Sequence, residues 1–154
     1  MSRRTHVSAP QAAADLATQL RAILGRLKRR LREQGGHEDL TPSQISVLLR
    51  LESHGPDTVS SLARAEGVRP QSMSAIVTGL QEAGLVSGTP DPSDGRKTLM
   101  SLSKKCEKWL KEGRAARQDW LTKTIVHKLS VQEQRQLSTA LQLLGRLADS
   151  ESPS

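Results

Sequence analysis

The strongest constraint in this chain is a run of helix starts and helix stops between residues 41 and 103, closed by a short polar ribbon. Thr41-Pro42-Ser43-Gln44 has the form of a capping box with proline at the first helical position. The Thr hydroxyl can accept from a free backbone N–H while the Gln side chain reaches back. The apolar residues Ile45, Val47, Leu48, Leu49 and Leu51 predict a helix that ends before His54-Gly55-Pro56. Thr58 then caps a short helix containing Leu62 and Ala63 that halts at Gly67. Pro70 opens a third helix with Met73, Ile76, Val77 and Leu80 inward and Gly84 as its left-handed stop.

That inward set leaves Gln71, Ser72, Ser74, Ala75 and Thr78 on an outward face of small, mostly polar residues. Leu85-Val86-Ser87 and Thr98-Leu99-Met100-Ser101-Leu102 read as paired strands. The Pro- and Gly-rich stretch between them is too polar for a core and reads as a loop at the ribbon tip. Helix, turn, helix and charged β-ribbon in that order describe a winged helix-turn-helix, a unit suited to touching duplex DNA.

The flanks are helical. Leu16, Leu20, Ile23, Leu24, Leu27 and Leu31 recur at three- and four-residue steps and predict one amphipathic helix over residues 11–34, stopped by Gly35-Gly36. Gly25 inside it costs roughly 1 kcal/mol against Ala, so close packing or a mild bend is expected there. Ser103 can cap a later helix whose stripe is Cys106, Trp109, Leu110, Gly113, Ala116, Trp120 and Leu121. Ser130-Val131-Gln132-Glu133 is a second capping box, starting a last helix with Leu137, Leu141, Leu144 and Leu147 on one face. A small winged unit alone cannot cover three such faces, and a second copy of the chain could, so the expectation is a homodimer. The expected fold class is mainly α with a small β-wing. Its parts are a flexible arm (residues 1–10), a helical dimerisation region (11–36 and 103–149), a winged helix-turn-helix (41–102) and a polar tail (150–154).

Composition narrows the function classes. The net charge is +7, yet residues 1–34 hold eight bases against two acids, so six of the seven excess charges lie there and the winged unit is close to neutral. A few positioned cations and donors are therefore expected to matter more than a dense basic groove. With a single cysteine, Cys106, no intramolecular disulfide can form. Phe and Tyr are absent, which removes the stacking platforms of common single-strand readers. No apolar run approaches the roughly 18 residues of a membrane span, and the first residues lack an apolar targeting core. A cytoplasmic protein without membrane partner is expected. The four histidines are scattered without metal-ligand spacing, and no phosphate loop, nucleophile elbow or paired carboxylates occur. The chain is expected to be no enzyme and to need neither metal nor cofactor.

Leu62-Ala63, Val68-Arg69-Pro70-Gln71-Ser72-Met73, Leu80-Gln81-Glu82-Ala83-Gly84-Leu85-Val86, Asp91-Pro92-Ser93-Asp94-Gly95-Arg96-Lys97 and Leu102-Ser103 together resemble the MarR family of bacterial transcription regulators. The wing motif after a Gly-Leu-Val strand is the specific part, and the resemblance covers nearly the whole chain. It implies a homodimer whose first, fifth and sixth helices interlock, with each recognition helix in a major groove and each wing at a minor groove. It also implies cooperation between an Asp and an Arg at the wing tip, here Asp94 and Arg96. This sequence departs from the family pattern at Gly95, at Ser87-Gly88 and at Ala75, where basic residues are common.

Candidate DNA contacts are therefore Arg69, Gln71, Ser72, Ser74, Ala75, Thr78, Asp94, Arg96 and Lys97. Gln can pair bidentately with adenine, and an Arg in a narrow minor groove meets enhanced negative potential. The resemblance further implies a repressor of a pseudo-palindromic operator, relieved by a small anionic or aromatic effector, for which His37, Arg50, His54 and Trp109 are the candidate lining residues. Two readings compete at several points. Lys28, Arg29, Arg30 and Arg32 can approach DNA backbone or form a solvated face. Cys106 can sense oxidants or simply pack beside Trp109. The near-neutral winged unit also fits a protein-interaction module that does not read DNA.

Overall fold

The computed structural model describes residues 9–36 and 39–149. Among the described residues, six helices and three strands run in the order α1 (Ala9–Gln34), α2 (Pro42–His54), β1 (Asp57–Thr58), α3 (Val59–Glu66), α4 (Pro70–Glu82), β2 (Val86–Pro90), β3 (Thr98–Leu102), α5 (Lys104–Lys128) and α6 (Val131–Ala148). The chain forms two compact units, Met1–Arg117 and Gln118–Ser154, whose boundary falls within α5.

Helix ends obey the local chemistry. The Gln44 amide N–H donates to Thr41 Oγ1 (3.2 Å) and the Thr41 N–H donates to Gln44 Oε1 (2.9 Å), closing the capping box of α2. Thr58 Oγ1 accepts from the Ser61 N–H at the start of α3. At the ends of α3 and α4, Gly67 and Gly84 take φ of 66° and 71°. The residues beyond them, Val68 and Leu85, donate back to the Ala63 and Leu80 carbonyls. Only glycine enters that conformation without a Cβ penalty, which fixes where each helix stops. Ser130 and Glu133 form a second closed box on α6; the backbone and hydroxyl of Ser130 hold the Glu133 carboxyl below its ordinary pKa.

The sheet has the order β1-β3-β2 with both pairings antiparallel. Register runs from Val86 opposite Leu102 to Pro90 opposite Thr98, while Asp57 and Thr58 face Met100 and Leu99. The core of the first unit joins Val47, Leu48 and Leu51 of α2 to Leu62 and Ala63 of α3. It continues through Met73, Val77 and Leu80 of α4, the strand residues Val86 and Met100, and Cys106 and Leu110 of α5.

Several details depart from expectation. Helix α1 begins at Ala9 rather than Gln11, because proline is tolerated in a first helical turn, so residues 9 and 10 do not belong to an arm. The remainder of the expected arm (1–8) and of the expected tail (150–154) lies outside the described residues. Strand β1 has only two residues and carries no alternation that a sequence could display. Leu49, grouped with the apolar set of α2, is 45% exposed, since it points away from the Val47–Leu48–Leu51 side. Gly25 has nothing near the position of a Cβ, so close packing around it is absent among the described residues. No described residue of α1 or α6 is buried, and Leu16, Ile23, Leu24, Leu141, Leu143 and Leu147 are all more than half exposed.

Candidate nucleic-acid interface

Helix α4 presents the candidate face because its opposite side is committed to the core. Met73, Val77 and Leu80 are essentially without solvent contact, whereas Gln71, Ser72, Ser74, Ala75 and Thr78 are all exposed. Arg69 occupies the N-cap position with extended backbone (ψ 147°) and makes no side-chain cap, so its charge also stays at the surface. Among the described residues, none of Gln71, Ser72, Ser74 and Thr78 spends its side chain on a hydrogen bond within the chain, which leaves their donors and acceptors available.

The wing follows two residues after Gly84 and is held by its own polar groups. The Asp91 N–H donates to the Lys97 carbonyl and the Lys97 N–H to the Asp94 carbonyl, both at 2.9 Å, which pins the two sides of the loop. Ser93 donates to Asp91 Oδ1 through both its hydroxyl (2.7 Å) and its backbone N–H (2.8 Å). Those two bonds, the hydroxyl first, hold the Asp91 carboxyl below the usual carboxylate range. Asp94 Oδ1 accepts from both the backbone N–H and Nε of Arg96 at 3.2 Å. The Asp94 side chain is 30% exposed and that of Arg96 is 92% exposed, so the carboxylate anchors the base of the guanidinium while its terminal nitrogens stay in solvent. Arg96 is thus aimed before any ligand arrives. Lys97 is exposed beside it.

The two parts are tied to each other through Ser103. Its Oγ donates to the Gly84 carbonyl (2.7 Å) at the end of α4 and accepts from the Cys106 N–H (3.1 Å) at the start of α5.

The expected effector residues that are described do not all line one recess. His37 lies outside the described residues. Trp109 lines a recess of about 580 Å³ together with Leu40, Ala83, Leu85, Lys105, Lys108 and Glu112. Arg50 and His54 are not among its walls. Arg50 is half-buried on α2 with a shielded Nε that lacks a hydrogen-bond partner, while exposed His54 has Nδ1 2.8 Å from Ser53 Oγ. Cys106 is buried, and that burial, reinforced by Glu52 and Glu107, pushes its thiol pKa up to about 11. A thiol so disposed is a packing residue with little thiolate at neutral pH. Sequence reasoning placed Gln44 in a capping box but missed Gly79 behind the interface and its approach to the Gln44 amide; the one available signal was a glycine inside a helical pattern.

A sequence profile of the MarR family matches residues 38–97. An HTH-type transcriptional regulator of Mycobacterium bovis is 37% identical over 140 residues, covering 91% of this chain and 96% of that protein. This chain belongs to the MarR family. A solved Pseudomonas aeruginosa structure described as a transcriptional regulator protein shares 34% identity with this MarR-family chain, with TM-score 0.79 over 91% of this chain and 98% of the other. The HTH-type transcriptional repressor MdtR of Bacillus subtilis is 28% identical over 96 residues, 62% of each chain. The protein is accordingly a MarR-type, DNA-binding transcriptional regulator with a winged-helix fold. No described helix is long and apolar enough to cross a membrane.

Proposed function

We propose that this regulator is a homodimeric repressor that binds a pseudo-palindromic operator and is released from it by a small anionic or aromatic effector. One observation carries the reading: α4 offers an uncommitted polar face, and the adjoining wing holds Arg96 ready through Asp94. The first suits base edges in a major groove, the second the negative potential of a minor groove. Arg69, Gln71, Ser72, Ser74, Thr78, Arg96 and Lys97 are the proposed contacts, Ala75 allows close approach, and Asp94 acts through Arg96.

The exposed leucines of α1 and α6 support self-association, since a second copy offers matching apolar surface. A two-fold dimer places its recognition helices on half-sites about one helical turn apart. The name of MdtR supports the repressive sign. The recess beside Trp109 supports an aromatic ligand. A DNA regulator of this kind works in the cytoplasm.

The test is a titration of duplex DNA across a range of salt, followed by footprinting on the best duplex. Counterion release makes log affinity fall linearly with log salt, and the footprint is expected to have two-fold character. A flat salt response with no protected duplex favours the rival role of a protein-interaction module, which the near-neutral winged unit would suit.

A further inference from the structure

Glycine is a poor resident of a helix interior, so Gly79 in the fourth-last position of α4 calls for a reason. The structure supplies one. A Cβ built on Gly79 would lie 3.1 Å from Gln44 Nε2, closer than ordinary van der Waals contact. Gln44 cannot freely yield, because its Oε1 accepts from the Thr41 N–H at 2.9 Å and so fixes the amide group at the start of α2. Gly79 is half-buried and sits between exposed Thr78 and buried Leu80, at the margin where the DNA-facing side of the helix meets its packed side.

We propose that Gly79 is a positioning residue for DNA recognition: its missing side chain lets α4 seat directly on the capped N-terminus of α2, and that seat sets the angle of the recognition face. The inference rests on α4 being the helix that reads DNA. Added bulk at residue 79 forces α4 and the Gln44 amide apart by a few tenths of an ångström at one point along the helix. Contacts that need aligned base edges suffer from such a tilt, whereas diffuse attraction to phosphates does not. Sequence-specific affinity is thus sensitive to this seat and non-specific affinity is not.

The experiment compares the parent chain with Gly79→Ala, using duplexes selected by the parent from a random library and a random-sequence duplex of equal length at the same salt. Gly79→Ala is expected to lower the ratio of specific to non-specific affinity by about tenfold, with non-specific affinity unchanged and a thermal midpoint at or above the parent's. Shortening the opposing side chain in Gly79→Ala with Gln44→Ser is expected to recover most of the ratio. An unchanged ratio in Gly79→Ala, a loss that Gln44→Ser fails to relieve, or simple unfolding of the variant would overturn the inference while leaving the function intact. Failure of the parent chain to select any duplex removes the function and this inference together.

Discussion

At the wing tip a single carboxylate decides how an arginine is presented. Asp94 Oδ1 receives both the backbone N–H and Nε of Arg96, so the side chain gives up part of its freedom before binding and leaves its outer nitrogens exposed. Pre-organisation of this kind lowers the ordering cost of association. Arg96→Ala is expected to weaken operator binding by about 1–3 kcal/mol in a salt-controlled gel-shift titration. Asp91 makes a pH test possible on the same loop. Its carboxyl is held below the ordinary range by Ser93, so the turn is fully supported above the unfolded value and loses that support as pH falls through the lowered one. The Ser93 amide resonance is expected to shift in acid below the pH at which a free aspartate titrates. Ser93→Ala should move the Asp91 midpoint back up toward it.

At the scale of elements, the joints between helices matter more than the helices. Ser103 caps α5 through the Cys106 N–H and grips the Gly84 carbonyl just beyond α4, so one hydroxyl joins α4 to the helix that leaves the winged unit. Ser103→Ala removes a cap and a second hydrogen bond, and a loss of about 1–2 kcal/mol is expected in urea denaturation. Cys106, packed one turn further on, should resist an aromatic disulfide reagent at neutral pH in the native state and react at once when unfolded, given a thiol pKa near 11. Measuring thiol release with and without denaturant checks this.

For the whole molecule, the unfinished business is apolar surface. Leu24 is 51% exposed and Leu147 is 73% exposed, on helices with no buried residue of their own. Each leucine newly buried in an interface contributes about 1.5–3 kcal/mol, and in a two-fold dimer each substitution counts twice. Leu24→Glu is therefore expected to shift sedimentation toward monomer at micromolar protein, and to abolish any concentration dependence of the thermal midpoint.

The helices, their stops and the wing were legible along the chain, because they follow from groups a few residues apart. Thr41 and Gln44 close a box within one turn, Gly67 and Gly84 are left-handed wherever a helix must end, and the spacing of Met73, Val77 and Leu80 dictates which side of α4 faces out. What lies across a gap in sequence came from packing in three dimensions. It placed the Gln44 amide against Gly79, tied Ser103 to Gly84, paired a two-residue β1 with β3, and set Trp109 in a recess that Arg50 and His54 do not line. Those arrangements depend on how separate helices pack. Packing is governed by the shapes of many side chains at once, and no periodicity along the chain records it.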